Sequence, residues 1–171
     1  GGEDEASEAL AAFQSIIDNY PYSDYALLAE LAIADAYFAD EKYEEALSYY
    51  RDFADLHPQH AKVPYTLFQA ALCHERRTRG ANRDQTPTRD ALVFLDQLLS
   101  SHPHSEYAAE AEAHWRDLRL LLAASYFVQA AGVGLSVWLP NLAGFALSSV
   151  LLGLPFTAIT LFAMQEVRRL T

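Results

Sequence analysis

The chain has 171 residues, is 51% hydrophobic and carries a formal net charge of −11, which bounds it to one or two small domains. A surface that acidic repels phosphates, which excludes a nucleic-acid partner. The single cysteine, Cys73, excludes an internal disulfide, and its place beside Ala70, Ala71 and Leu72 predicts a small buried packing residue.

The charge is unevenly spread. No Asp, Glu, Lys or Arg occurs from Leu120 to Gln165, and residues 120–171 carry only Glu166, Arg168 and Arg169. The acidity therefore belongs to the front of the chain, which reads as water-facing, while the rear asks for a dry environment. Gly1–Glu8 has neither a basic nor an apolar stretch of the kind that opens a signal peptide, so none is expected in this sequence.

In chain order, helices are predicted at 5–19, 24–39, 42–56, 62–78, 88–101 and 105–118. Ala9, Phe13, Ile16 and Pro21 recur 37 residues later as Ala46, Tyr50, Phe53 and Pro58, and these recur 45 residues later as Ala91, Leu95, Leu98 and Pro103. Positions i, i+4 and i+7 share one helical face. The small residue lets a neighbouring helix approach, the large ones fill the gap, and the proline ends the helix. Ile33, Ala34 and Tyr37 are the inward positions of a partner helix, repeated as Ala70, Ala71 and His74, so the unit is a helix–turn–helix. Ser23–Asp24 and Ser105–Glu106 read as helix starts. The longer second spacing predicts an extended loop near Arg76–Thr88. Its cluster Arg76, Arg77, Arg79 and Arg83 reads as solvated charge pairing with nearby acids.

Ala34, Tyr37, Ala46, Tyr50 and Pro58 give this part a resemblance to tetratricopeptide (TPR) repeats, whose units gain a core by stacking. The turns Tyr20-Pro-Tyr-Ser-Asp-Tyr25 and His102-Pro-His-Ser-Glu-Tyr107 carry a narrower likeness. So does the loop Asn82-Arg-Asp-Gln-Thr86 with Thr88-Arg-Asp-Ala91. Over roughly residues 5–118 the chain resembles the BamD family, lipoproteins of the outer-membrane β-barrel assembly machinery. The resemblance implies a scaffold that binds polypeptides, with outer-membrane proteins and that machinery as partners, at the periplasmic face of the outer membrane. Tyr22, Tyr25, Tyr49 and Tyr65 are the aromatic candidates for lining a peptide groove, since rings give large contact area at small entropic cost. Arg83, Asp84 and Gln85 join them from the family-like loop.

The uncharged run is long enough for two membrane helices, expected at 120–138 and 142–163 around a Trp138-Leu-Pro-Asn141 turn, with membrane lipid as the partner of 120–163. Gly132, Gly134, Gly144 and Gly153 offer close-packing patches, and Pro155 is expected to kink the second helix. Leu139-Pro-Asn-Leu-Ala-Gly-Phe145, Gly153-Leu-Pro-Phe-Thr-Ala-Ile-Thr160 and Gln165-Glu-Val-Arg-Arg169 resemble two helices of a YbfB-like major facilitator superfamily transporter. Two helices do not make the halves that enclose a transport site. Arg116 and Arg119 before the run and Arg168 and Arg169 after it place both ends in the cytoplasm, implying the inner membrane. The two resemblances meet near Arg116–Leu121, as in a chimera.

The expected fold class is all-α: a TPR-like helical-repeat solenoid over 1–118, then an apolar, transmembrane helical hairpin over 119–171. The alternatives are a major facilitator fragment, a membrane-tethered TPR adaptor with another partner, and a bundle in which the hairpin caps the last repeat. No enzyme is expected. His57, His60, His74, His102, His104 and His114 lack partners at metal-site spacing, and His57 and His102 precede repeat prolines, a structural place. Gly132-Val-Gly134 lacks the third glycine and the strand of a dinucleotide site. Glu44–Glu45 and Asp52–Asp55 read as solvent-facing charge. Neither metal nor cofactor is expected.

Overall fold

The computed structural model describes the backbone of residues 2–78 and 85–138 and the side chains of 7–77, 85–128 and 130–131. Among the described residues the chain is entirely helical. The elements are α1 (Gly2–Asn19), α2 (Asp24–Ala39), α3 (Tyr43–Leu56), α4 (Val63–Thr78), α5 (Thr86–Ser101) and α6 (Ala108–Trp138). Each helix packs chiefly on the one before and the one after it, the arrangement of a stacked repeat.

The repeat is visible in its backbone hydrogen bonds. At the α1–α2 turn, Tyr20 N–H donates to Ile16 O (2.9 Å), Ser23 to Tyr20 O (3.0 Å) and Ala26 to Ser23 O (3.0 Å). At the α3–α4 turn His57, His60 and Val63 make the same three bonds at 2.9, 2.9 and 3.0 Å. At the α5–α6 turn His102, Ser105 and Ala108 make them at 2.8, 3.1 and 3.1 Å. His57 and His102 are both C-caps with nearly the same dihedrals, φ −126° and −133°. The histidines before the prolines are thus structural.

Ser23 caps α2 as its sequence suggests, with Oγ accepting from Ala26 N–H at 3.2 Å. Ser105 does not repeat this. The sixth helix begins at Ala108, and the Ser105 Oγ is buried without a hydrogen-bond partner among the described residues. The turn uses the Ser105 carbonyl instead.

Between α2 and α3, Lys42 N–H reaches Tyr37 O (2.9 Å) and Glu41 N–H reaches Phe38 O (3.1 Å). This is a Schellman closure with Glu41 in the left-handed region at φ 60°. A side chain there is strained where glycine is not. Glu41→Gly is expected to stabilise the chain by roughly 0.5–1 kcal/mol, read as a raised thermal midpoint.

The core is built as the repeat spacing demands. Ala46, Tyr50 and Phe53, like Ala91, Leu95 and Leu98, are buried, and Ala34, Ala70, Ala71 and Cys73 close the facing sides. The first copy differs: Ala9 is exposed and Phe13 and Ile16 are half-buried, because α1 has a helix on one side only among the described residues.

The rear differs from the sequence expectation. The helices predicted at 105–118 and 120–138 are one unbroken α6. No proline or glycine falls between His104 and Ala131, so nothing in the backbone breaks the helix at Arg119. Among the described residues no helix is long and apolar enough to cross a membrane. The residues of the expected first span form the rear of a helix whose front packs on α5. The expected second helix, 142–163, lies outside the described residues, as do Arg79, Arg83 and Asp84.

A candidate protein-binding face

Side chains of α2, α4 and α6, joined by Tyr50 of α3, meet in one run of polar and aromatic contacts. Asp35 is a lone acid in the apolar run Leu31-Ala-Ile-Ala-Asp-Ala36 of α2. Its Oδ1 accepts from the Tyr50 hydroxyl at 2.6 Å and from the Tyr65 hydroxyl at 2.5 Å. The Tyr50 ring is buried. Burial first, then the Asp35 bond and charge, push the Tyr50 hydroxyl far above the ordinary phenol range and that of Tyr65 up to about 12. Both are donors at any physiological pH.

The seam continues onto α4 and α6. Gln69 Nε2 donates to the Tyr65 hydroxyl at 3.2 Å, while Gln69 Oε1 is buried with no partner among the described residues. The Tyr65 ring lies 5.7 Å from Tyr107, which stacks on Phe68 at 5.8 Å. Phe68 also meets the His114 ring edge-on at 5.6 Å. Lys62 Nζ stands 5.9 Å over Tyr65. The result is a row of rings, with Phe68 buried and Tyr65 and Tyr107 half-buried, and the exposed Asp35 carboxylate at its edge. Half-buried rings beside an exposed acceptor are groups that can contact a polypeptide.

At the α6 end, His114 Nδ1 sits 2.9 and 3.1 Å from the two Glu75 oxygens. The Glu75 hydrogen bond raises the His114 pKa; burial opposes it, and Glu75, Glu110 and Asp117 charges add to the rise. A raised histidine contributes stability that is fully present below its unfolded value of 6.5 and is lost as pH rises through the folded value. His74 runs the other way, its pKa lowered chiefly by burial. The readout is therefore the difference between the wild type and His114→Gln. In urea titrations the wild-type advantage is expected to be largest near pH 5.5 and to shrink toward pH 8.5.

The sequence candidates scatter over this frame. Tyr65 is in the seam. Tyr22 and Tyr25 stand almost fully out of the surface, 101% and 75% exposed, at the α1–α2 turn. Tyr25 lies about 15 Å along α2 from Asp35. Tyr49 is half-buried on α3 and packs on Tyr37 at 5.6 Å. Gln85 Nε2 donates to Ser125 Oγ at 2.6 Å, tying the start of α5 to α6. Arg83 and Asp84 lie outside the described residues. Arg77 bonds Glu44 at 2.7 Å, the acid pairing expected for the arginine cluster.

Sequence reading missed Asp35, Gln69, Tyr107 and the Glu75–His114 pair. One signal was available for Asp35, its place as a lone carboxylate in an apolar helical run. Cys73 is buried, and burial pushes its thiol up to about 12, the state of an inert packing residue. Among the described residues no cluster of three or more metal-ligating side chains occurs. On the other layer, α3 and α5 frame a cleft of about 250 Å³ lined by Leu47, Arg51, Asp90, Val93 and Phe94, with His74 of α4 at its floor.

Against known proteins, residues 99–171 match the model of an uncharacterised MFS-type transporter, YbfB. Curated relatives match the front. Outer membrane protein assembly factor BamD of Caulobacter vibrioides is 29% identical over 105 residues, 61% of this chain and 34% of that protein. The BamD of Neisseria gonorrhoeae is 27% identical over 117 residues, 63% and 44% respectively. That of Vibrio cholerae is 25% identical over 125 residues, 67% and 52%. The chain thus spans between a third and about half of the length of these relatives. Residues 2–130, most of the chain and the whole of the helical stack through the front of α6, match the family model YfiO, outer membrane lipoprotein, and the chain belongs to that family.

Proposed function

We propose that this chain is a protein-binding repeat scaffold serving outer-membrane protein assembly, holding polypeptide segments on the face of α2, α4 and α6. The observation that carries the reading is the seam in which Asp35 gathers the Tyr50 and Tyr65 hydroxyls beside the Tyr107 and Phe68 rings. Family membership and the assembly role printed for the relatives support it. The chain works by binding, not by catalysis, at the periplasmic face of the outer membrane. Outer-membrane proteins and their assembly machinery are its partners.

Tyr22 and Tyr25 form a second anchor at the end of α2, and Tyr49, Arg83, Asp84 and Gln85 complete the proposed contact set. The division into a repeat part, 1–118, and an apolar part, 119–171, belongs to the same proposal. Charge defines it, since α6 crosses the boundary unbroken.

Calorimetry of the full chain with C-terminal peptides of outer-membrane proteins tests the reading. Binding is expected, and Tyr22→Ala with Tyr25→Ala is expected to weaken it about 5- to 30-fold. Both rings are exposed, so the helical signal and melting point stay unchanged. Absence of heat with every peptide, from a fully helical sample, removes the binding role.

A second reading, a fragment of a membrane transporter, is favoured by the match over 99–171 and the uncharged run. It requires other transporter helices for stability, so stable insertion of residues 115–171 by themselves would count against it.

A further inference from the structure

The charge around Tyr65 and Tyr107 is of one sign. Asp35, Glu106 and Glu110 are exposed, and all three act on Tyr107. Partial burial, then the Glu106 charge and hydrogen bond, then the Asp35 and Glu110 charges push its hydroxyl above the ordinary phenol range. Farther along α6 the sign is the same. Glu110 and Asp117 stand within about 60° of His114 round the helix, whereas Arg116 and Arg119 stand about 200° and 140° away.

The neighbouring arginines are engaged elsewhere. Arg77 pairs with Glu44 at 2.7 Å, Arg116 with Glu112 at 4.0 Å, and Arg119 lies on the Trp115 ring. Arg76 is roughly three turns up α4, about 16 Å from Tyr65.

One cation does reach the rings, and it belongs to the chain itself. Lys62 holds its ammonium 5.9 Å over the Tyr65 ring centre. Its backbone is fixed, with N–H donating to His60 Nδ1 at 3.1 Å and the carbonyl accepting from Thr66 N–H at 3.0 Å. The residue is exposed, so its side chain swings away from the ring at little cost. The ring it covers is suited to a cation. An aromatic face is negative, and the Asp35 carboxylate on the Tyr65 hydroxyl at 2.5 Å polarises it further.

Resting on the peptide-binding reading above, we propose that Tyr65 and Tyr107, with Asp35 beside them, form a subsite for a lysine or arginine side chain of the bound polypeptide, and that Lys62 holds this place as an internal competitor. The incoming cation displaces Lys62 from the Tyr65 ring and comes under the charges of Asp35, Glu106 and Glu110. The rings supply contact area and the carboxylates select sign, so an acidic side chain is repelled from the same place.

Calorimetry on the full chain tests this with a C-terminal peptide of an outer-membrane protein. A lysine is placed at each position in turn and compared with Nε-acetyl-lysine there, which keeps the stem and removes the charge. At one position or more, the lysine form is expected to bind about 5- to 20-fold more tightly at low ionic strength, and the difference is expected to shrink as salt rises. Asp35→Asn keeps an oxygen for the two tyrosine hydroxyls and removes the charge, so that preference is expected to fall below about 3-fold with the helical signal intact. Lys62→Met, in an exposed turn, removes the competitor and is expected to tighten the lysine peptide about 2- to 5-fold. Equal binding of the two forms at every position would overturn the subsite and leave the scaffold reading standing. A preference for lysine that neither variant changes would overturn it too, placing the cation elsewhere on the acidic surface. No binding of any peptide by a helical chain removes the scaffold reading itself, and the subsite with it.

Discussion

Truncating Phe53 to alanine is expected to lower stability by about 3–5 kcal/mol. The ring is 1% exposed and lies 5.2 Å from both His57 and His60. It therefore fills the core and supports the α3–α4 turn together, and the cavity left behind has little freedom to collapse. Small domains hold only about 5–15 kcal/mol in total, so this one change removes a large part of it. Urea unfolding monitored at 222 nm provides the check. Phe53→Leu, which keeps most of the volume, is expected to lose no more than ~1.5 kcal/mol. Leu98→Ala, at the equivalent position of the next unit and also fully buried, is expected to cost about 2–5 kcal/mol. A Phe53→Ala midpoint within error of the wild type would mean that α3 is not central to the stack.

Removing the Asp35 carboxylate is the second large effect. Asp35→Ala leaves the buried Tyr50 hydroxyl without its acceptor, and an orphaned buried donor costs about 1–3 kcal/mol. The diagnostic is a rescue. With Asp35→Ala already present, Tyr50→Phe deletes the orphaned hydroxyl, so the double variant is expected to be at least as stable as Asp35→Ala alone. In the wild-type background Tyr50→Phe is expected to destabilise. The coupling between the two sites should lie within about 0.5–3 kcal/mol. Additive losses would show that the 2.6 Å bond contributes nothing net. If the proposed binding reading holds, Asp35→Ala also weakens peptide capture, because Tyr65 shares the same acceptor.

The sequence made the stack legible because its period is written in local terms. A small residue, two large ones and a proline recur at fixed offsets, and α2, α3 and α4 begin and end within a residue or so of the expected places. The seam was less legible because its bonds join residues 15 and 30 positions apart. Periodicity says that Tyr50 faces inward and composition offers Tyr65 as a groove candidate, but neither says what their hydroxyls reach. The helix break expected between residues 118 and 120 is absent, because charge does not end a helix that its backbone allows to continue. At the surface Arg119 has a local occupation, lying 4.6 Å over the Trp115 ring. Ser105 misled for a similar reason: a residue type suited to capping was read without the turn geometry that assigns its place to a carbonyl.

The three proline turns have one further consequence. Tyr20, His57 and His102 fill one backbone role with different side chains, and the hydrogen bonds around them do not change. Each turn is thus an interchangeable joint. Recombination that swaps whole hairpins at these joints would preserve the connection while exchanging the surfaces it carries.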